Sequence, residues 1–274
     1  MIRSLSRAAL SALAAVALFG AMGRPARATP APLPFTYIYE TLPAGDAELE
    51  LYTDLTPLHL KDGATATNVN GVFLVPQFQA EIEYGLTDRL ELGLYLVLVP
   101  TDTSGFSPAP STMEGTGVKQ RLRYRFAEAG RWPVDLAIYG ELVENVHEIE
   151  LEGKIILQRR VGPFRIAANA WAEREYYFSG NREWVLNPTA GVVLEKWITV
   201  QPGIEYWMHG ELNDHGSWNL VPQHYLGPTV ILQLGRIWWS NGFYFRLNGL
   251  QTPAYGTSDA YGAVWARTIV GINF

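Results

Sequence analysis

The chain has 274 residues, 48% hydrophobic and 18% charged, with a formal net charge of −6. Its 27 acidic residues outnumber 21 basic ones, which excludes a basic surface for nucleic acid. It has no cysteine, which excludes disulfides and thiolate chemistry.

The first residues fit a secretory signal: Arg3 and Arg7, an apolar run from Ala8 to Phe19, then Ala26-Arg27-Ala28 as a small-x-small cleavage motif. The run is shorter than the ~20 residues of a helical span and is broken off by Gly20, Gly23 and Pro25. Residues 1–28 are therefore expected to be removed, so that the mature chain starts at Thr29. With Arg3, Arg7, Arg24 and Arg27 gone, 17 basic residues face 27 acidic ones, a net of −10. No later stretch approaches ~18 uninterrupted apolar residues, so helical spans are excluded. A membrane location must then come from strands, the other structure that satisfies every backbone group in lipid.

Residues 29–45 are Pro-rich and aromatic, with Phe35, Tyr37 and Tyr39 before Leu42-Pro43-Ala44-Gly45; they read as a periplasmic entry segment ending in a turn. The rest, 46–274, alternates. In Ala47 to Leu55, Leu49, Leu51 and Leu55 face one way and Glu48, Glu50, Tyr52 and Asp54 the other. A polar loop, Thr56 to Asn70, leads to a hairpin: Phe78 to Tyr84, the turn Gly85-Leu-Thr-Asp88, then Arg89 to Leu98. Leu90, Leu92, Leu94, Leu96 and Leu98 form a stripe too hydrophobic to face water.

After a Ser/Thr/Pro/Gly loop from Pro100 to Gly115, the fourth strand puts Val118, Leu122, Tyr124 and Phe126 outside and Lys119, Arg121, Arg123 and Arg125 inside. The fifth opposes Val134, Leu136, Ile138 and Leu142 to Asp135, Tyr139 and Glu141. The sixth, Glu148 to about Arg159, carries Glu148, Glu150, Glu152 and Lys154 inward. Strands seven to eleven follow over 164–247, and the last, Val264 to Phe274, has Trp265, Arg267, Ile269, Gly271 and Asn273 on its inner face. Pro188 and Pro228 fall inside strands eight and ten, where proline removes a ladder hydrogen bond, and mark edges or bulges.

The expected fold is all-β, an antiparallel up-and-down transmembrane β-barrel of about twelve strands. Short connections after even strands and generally longer ones after odd strands fit a barrel with both termini in the periplasm. Tyr84, Phe126, Trp132, Phe164, Trp197, Trp238 and Phe274 fall at the short-turn ends, as an interfacial aromatic girdle requires.

Inward residues then line a lumen. Lys119, Arg121, Arg123 and Arg125 lie between Glu91 on one side and Asp135 and Glu141 on the other, with Glu81 and Glu83 one strand further. Opposed charges of this kind set a transverse field in a charge-selective pore; alternatively they neutralise one another and partly plug the barrel. Twelve strands leave room for a narrow path that Tyr95, Tyr139, Trp171, Trp207 and Trp265 narrow further. For an enzyme, the loop residues Asp214, His215 and Ser217 have the types for base-assisted attack, but adjacent residues seldom converge on one atom. No metal-ligand spacing stands out and no cofactor is implied.

The closing alternation ending on Phe274 resembles the final strand and assembly signal of bacterial outer-membrane barrels. That likeness implies membrane lipid and the barrel-assembly machinery as partners. Leu42-Pro-Ala-Gly45 before an acidic strand, Glu83-Tyr-Gly-Leu-Thr-Asp-Arg89, and a cationic strand after a Gly-rich loop together resemble the transporter-like barrels grouped under a phenol-degradation label. This second likeness spans roughly the first half of the chain. It implies passive uptake or efflux of small molecules; the charged inner face with its aromatics reads as a narrow channel for small polar or aromatic solutes. An outer-membrane hydrolase using loop histidines, or a plugged structural or adhesive barrel, are the alternatives.

Overall fold

A computed structural model describes residues 29–59, 72–98, 117–248 and 264–274. Among them there is no helix. The strands are β1 (Ala47–His59), β2 (Val72–Thr87), β3 (Leu90–Leu98), β4 (Gly117–Arg125), β5 (Asp135–Asn145), β6 (Glu148–Val161) and β7 (Phe164–Tyr177). They continue as β8 (Arg182–Leu186), β9 (Thr189–Leu194), β10 (Val200–Asn213), β11 (Trp218–Leu234), β12 (Ile237–Arg246) and β13 (Val264–Asn273). Apart from β8 and β9, which do not pair with each other, each is antiparallel to its neighbour in sequence, and β13 pairs with β1, so the sheet closes on itself. Asp54 and Arg267 face each other across that seam and form a two-pronged ion pair, 2.6 and 2.7 Å.

β8 and β9 are halves of one strand: both pair with β7 and with β10, one beyond the other. Pro188 makes the break, and the ladder is kept by bonds around it, Asn187 N to Trp171 O and Met208 N to Pro188 O, each 3.0 Å. Counted as one, they make a closed barrel of twelve strands. Pro228 sits where β11 and β12 are unpaired, between Leu226↔Phe245 and Thr229↔Gly242, so its missing N–H deprives no ladder partner.

Period two assigns the faces. Leu94, Leu122, Leu151, Ile155, Ile204 and Phe245 are each 48–50% exposed on the outside, an apolar band that only lipid covers in a barrel of this kind. At the end holding the short turns after β2, β4, β6, β9 and β11, Tyr84, Phe126, Trp132, Phe164 and Trp197 are exposed aromatics. Trp238 is not among them. It is 1% exposed, turned inward over Gly271 with its indole N–H on Glu48, and Trp239, 46% exposed, takes the outer position. The opposite end has its own exposed set, with Tyr176, Phe178, Trp184 and Trp218.

β1 and β2 are longer than the alternation suggested: β1 runs to His59, and β2 begins at Val72 rather than Phe78. The remainder of the first expected loop, that from Pro100 to Gly115, and most of the one before β13 lie outside the described residues.

Candidate functional site

The stretch read from sequence as an entry segment does not stay outside the barrel. Leu33, Phe35, Thr36, Ile38, Tyr39, Thr41 and Leu42 are all buried, because residues 29–42 run inside the lumen, and the chain emerges at the exposed Ala44 and Gly45. The segment has no strand partner to satisfy its backbone, so inward side chains of the wall do it. Glu205 accepts from the amides of Phe35 (3.0 Å) and Thr36 (2.5 Å), Asn169 from Tyr37 (2.7 Å), Gln158 from Tyr39 (3.2 Å) and Glu91 from Leu42 (2.7 Å). Near the short-turn end Glu40 bridges Arg160 (2.8 Å) and Arg165 (3.1 Å), and Gly45 N donates to Gly85 O (2.8 Å). The segment therefore enters, reaches mid-height, and returns to start β1.

Its apolar side chains are received by matching pockets. Phe35 stacks on Trp207 at 4.6 Å between centroids and meets Tyr244 and Trp265 edge-on, while Trp207 stacks on Tyr225 at 4.1 Å. The Arg267 guanidinium lies 3.8 Å over the Phe35 ring, a cation–π contact in a desolvated place. Leu33 packs on Ala167 and Val193, and Gly191 leaves the space its methyls occupy. Tyr37 joins Tyr139 and Trp171 around Lys154, whose ammonium is 4.3, 3.8 and 3.8 Å from the three ring centres.

The structure places all nine sequence-proposed charged residues on the inner wall, and it shows what they do to one another. Arg121 is 1% exposed and its guanidinium meets Glu81 (2.6 Å), Glu91 (2.7 Å) and Glu83. Gly93 is the residue opposite Arg121, and a Cβ there would fall 2.5 Å from both Arg121 and Glu81. Arg123 binds Glu91 at 2.6 Å, Lys119 binds Glu141 at 3.1 Å, and Arg125 reaches Glu128 at 2.8 Å and Thr41 at 3.0 Å. Asp135 accepts from Gly130 N in the turn, 2.7 Å. The charges are knotted along one wall rather than set across an open gap.

Phe274 ends the closing strand with its N–H on Ala47 O, 2.9 Å. Toward the other end Glu148, Glu150, Glu173, Glu175, Glu183 and Glu211 gather on β6 to β10, and carboxylates of Glu150, Glu173 and Glu175 come within 4.8 Å of one another. The loop residues weighed for catalysis are otherwise engaged. Asp214 is held by Arg174, and the amides of His215 and Ser217 both donate to Asn213 Oδ1 at 3.0 Å, closing a tight turn.

Sequence reasoning missed Glu205, Gln158, Tyr225 and Tyr244, and the role of residues 29–45. The available signal was an aromatic alternation, Phe35, Tyr37 and Tyr39, in a Pro-rich segment that carries a single charged residue, Glu40, in 29–45.

Comparison with solved structures matches this architecture. An outer-membrane channel from Pseudomonas putida F1 superposes with a TM-score of 0.54 at 15% identity, covering 86% of this chain and 98% of that one. The NanC porin gives 0.55 at 9% identity, covering 82% and 100%. The chain has the fold of an outer-membrane β-barrel. No family model and no curated protein matches it, so the likeness is one of fold.

Proposed function

We propose that this protein is an outer-membrane channel for small polar or aromatic solutes, closed at mid-height by its own residues 29–45. The observation that carries the reading is the seat of that segment. A polar and charged inner wall lies beneath an apolar exterior, and between its ends the segment is held there by side chains rather than by a ladder. Side-chain anchors can be released one at a time, and a released segment leaves a lumen lined by Trp207, Tyr225, Tyr244 and Trp265 among carboxylates and cations. Such a lining suits small solutes with a flat apolar body and a polar edge. The solved barrels of similar fold are a channel and a porin by name, which supports the same reading.

The full lumen also favours a second reading, a plugged barrel acting through its outer loops. Single-channel recording of the mature protein in a planar bilayer decides between them. Under the channel reading the native protein shows rare small openings, and removal of residues 29–42 makes them frequent. A silent barrel in both forms, correctly inserted, would leave the plugged reading.

A further inference from the structure

Of three clustered buried carboxylates near the short-turn end, Glu48, Glu50 and Glu83, the first two lack the cation that the rest of the wall provides. Glu48 and Glu83 are register partners across β1 and β2, Glu50 is two residues along β1, and their oxygens lie within 4.8 Å of one another. Arg121 and Arg123 serve Glu81, Glu83 and Glu91. Among the described residues no basic side chain forms an ion pair with Glu48 or Glu50. Glu83 Oε2 is buried without a hydrogen-bond partner, with Arg123 Nη2 3.9 Å away. Unpaired charges in such a place are costly.

The backbone nitrogen of Thr29 is 3.3 Å from Glu48 Oε2, and its hydroxyl is 3.4 Å from the same oxygen. A cavity of about 30 Å³ is lined by Thr29, Glu50, Glu83 and Arg123 together. An amide there offers one proton to three carboxylates. An ammonium offers three protons and a charge.

We infer that cleavage of the Ala28–Thr29 bond creates the missing cation: the new α-ammonium of Thr29 is an internal ion-pair partner of Glu48, with Glu50 and Glu83 around it, and locks the segment in the lumen. The reaction is a hydrolysis by a signal peptidase. One water adds across the peptide bond, its oxygen going to the Ala28 carbonyl carbon to give a carboxylate, and the released nitrogen takes protons to become the ammonium. Processing is thereby coupled to closure of the barrel, since an uncleaved chain has a neutral amide at this point. The inference does not depend on conduction.

N-terminal threonine with a free amine is a 1,2-amino alcohol that periodate oxidises, and only the unprotonated amine reacts. The mature protein purified from outer membranes is first weighed intact, then titrated with periodate against pH, folded and heat-denatured. The expected mass begins at Thr29. The expected amine titration in the folded barrel lies at least one pH unit above that of the denatured chain, about tenfold slower oxidation at neutral pH. Glu48→Gln should bring the two curves together while the barrel still shows its folded, heat-modifiable mobility. Should that variant not fold, Glu50→Gln should narrow the gap in part. A mature chain starting elsewhere, or a folded titration at or below the denatured one, as burial without an ion pair produces, would overturn the inference. Protection that is lost on chelation of divalent metal and not in Glu48→Gln would overturn it too. A silent barrel with a protected amine would sink the channel reading and leave this one standing.

Discussion

Arg121 meets three carboxylates at once with almost no exposure to solvent. Removing it leaves Glu81, Glu83 and Glu91 partly unpaired, and breaking a buried pair costs about 3–5 kcal/mol. Arg121→Gln is expected to shift chemical unfolding of the barrel by that order, with less effect on ion preference than on stability; an unchanged midpoint would mean the knot contributes nothing. Phe35 belongs to the segment instead of the wall. Deleting a core phenylalanine costs about 3–5 kcal/mol, and here the loss falls on seating the segment, so Phe35→Ala should raise open probability while folding and insertion stay normal. Glu40 sets a pH limit. Burial works to raise its carboxyl pKa, but Arg165 and Arg160 prevail and hold it below the usual carboxylate range. Its folded value being depressed, Glu40 contributes to seating above the unfolded carboxylate pKa and loses that contribution as pH falls through the folded one. Openings should therefore increase below about pH 4.5, and Glu40→Gln should remove that part of the pH dependence.

At the scale of elements, the segment and the closing strand have different jobs. β13 meets β1 through eight register pairs and the Asp54–Arg267 link, and Phe274 continues the ladder onto Ala47. A substitution at its end should therefore act on assembly more than on conduction. Phe274→Ser is expected to lower the fraction of protein inserted in the outer membrane, measured by heat-modifiable mobility of the membrane fraction; normal insertion would count against a terminal assembly signal. Both prolines inside strands are placed so that the barrel absorbs them. One breaks a strand whose neighbours still bridge the gap, and the other faces a stretch of β12 that pairs with β13 but not with β11.

For the whole molecule, the field follows from charge placement. Cations on β4 are consumed by carboxylates of β2, β3 and β5, whereas six glutamates collect on β6 to β10 toward the end opposite the short turns. That excess attracts cations and repels anions at one mouth. An open form should be cation-preferring in a salt gradient, and replacing Glu150, Glu173 and Glu175 with Gln should move the reversal potential toward zero. An anion preference in the native protein would contradict this placement.

The sequence alone determined the number of strands, all but a few of their faces and the inward position of Lys119, Arg121, Arg123 and the acids around them. Period two is a local property, and lipid on the outside leaves leucine and isoleucine only one way to turn. It did not determine what fills the lumen. The Phe35 N–H donates to a carboxylate 170 residues away, and no periodicity in residues 29–45 records a partner so distant. Trp238 and Trp239 show the same limit on a smaller scale. Either could face outward at the start of a strand, and it is Gly271 across the ladder, together with Glu48, that gives Trp238 room and an acceptor inside. Closure of the barrel brought these groups together, so only the tertiary structure decided that the charged wall is neutralised and that the chain's own segment occupies the path.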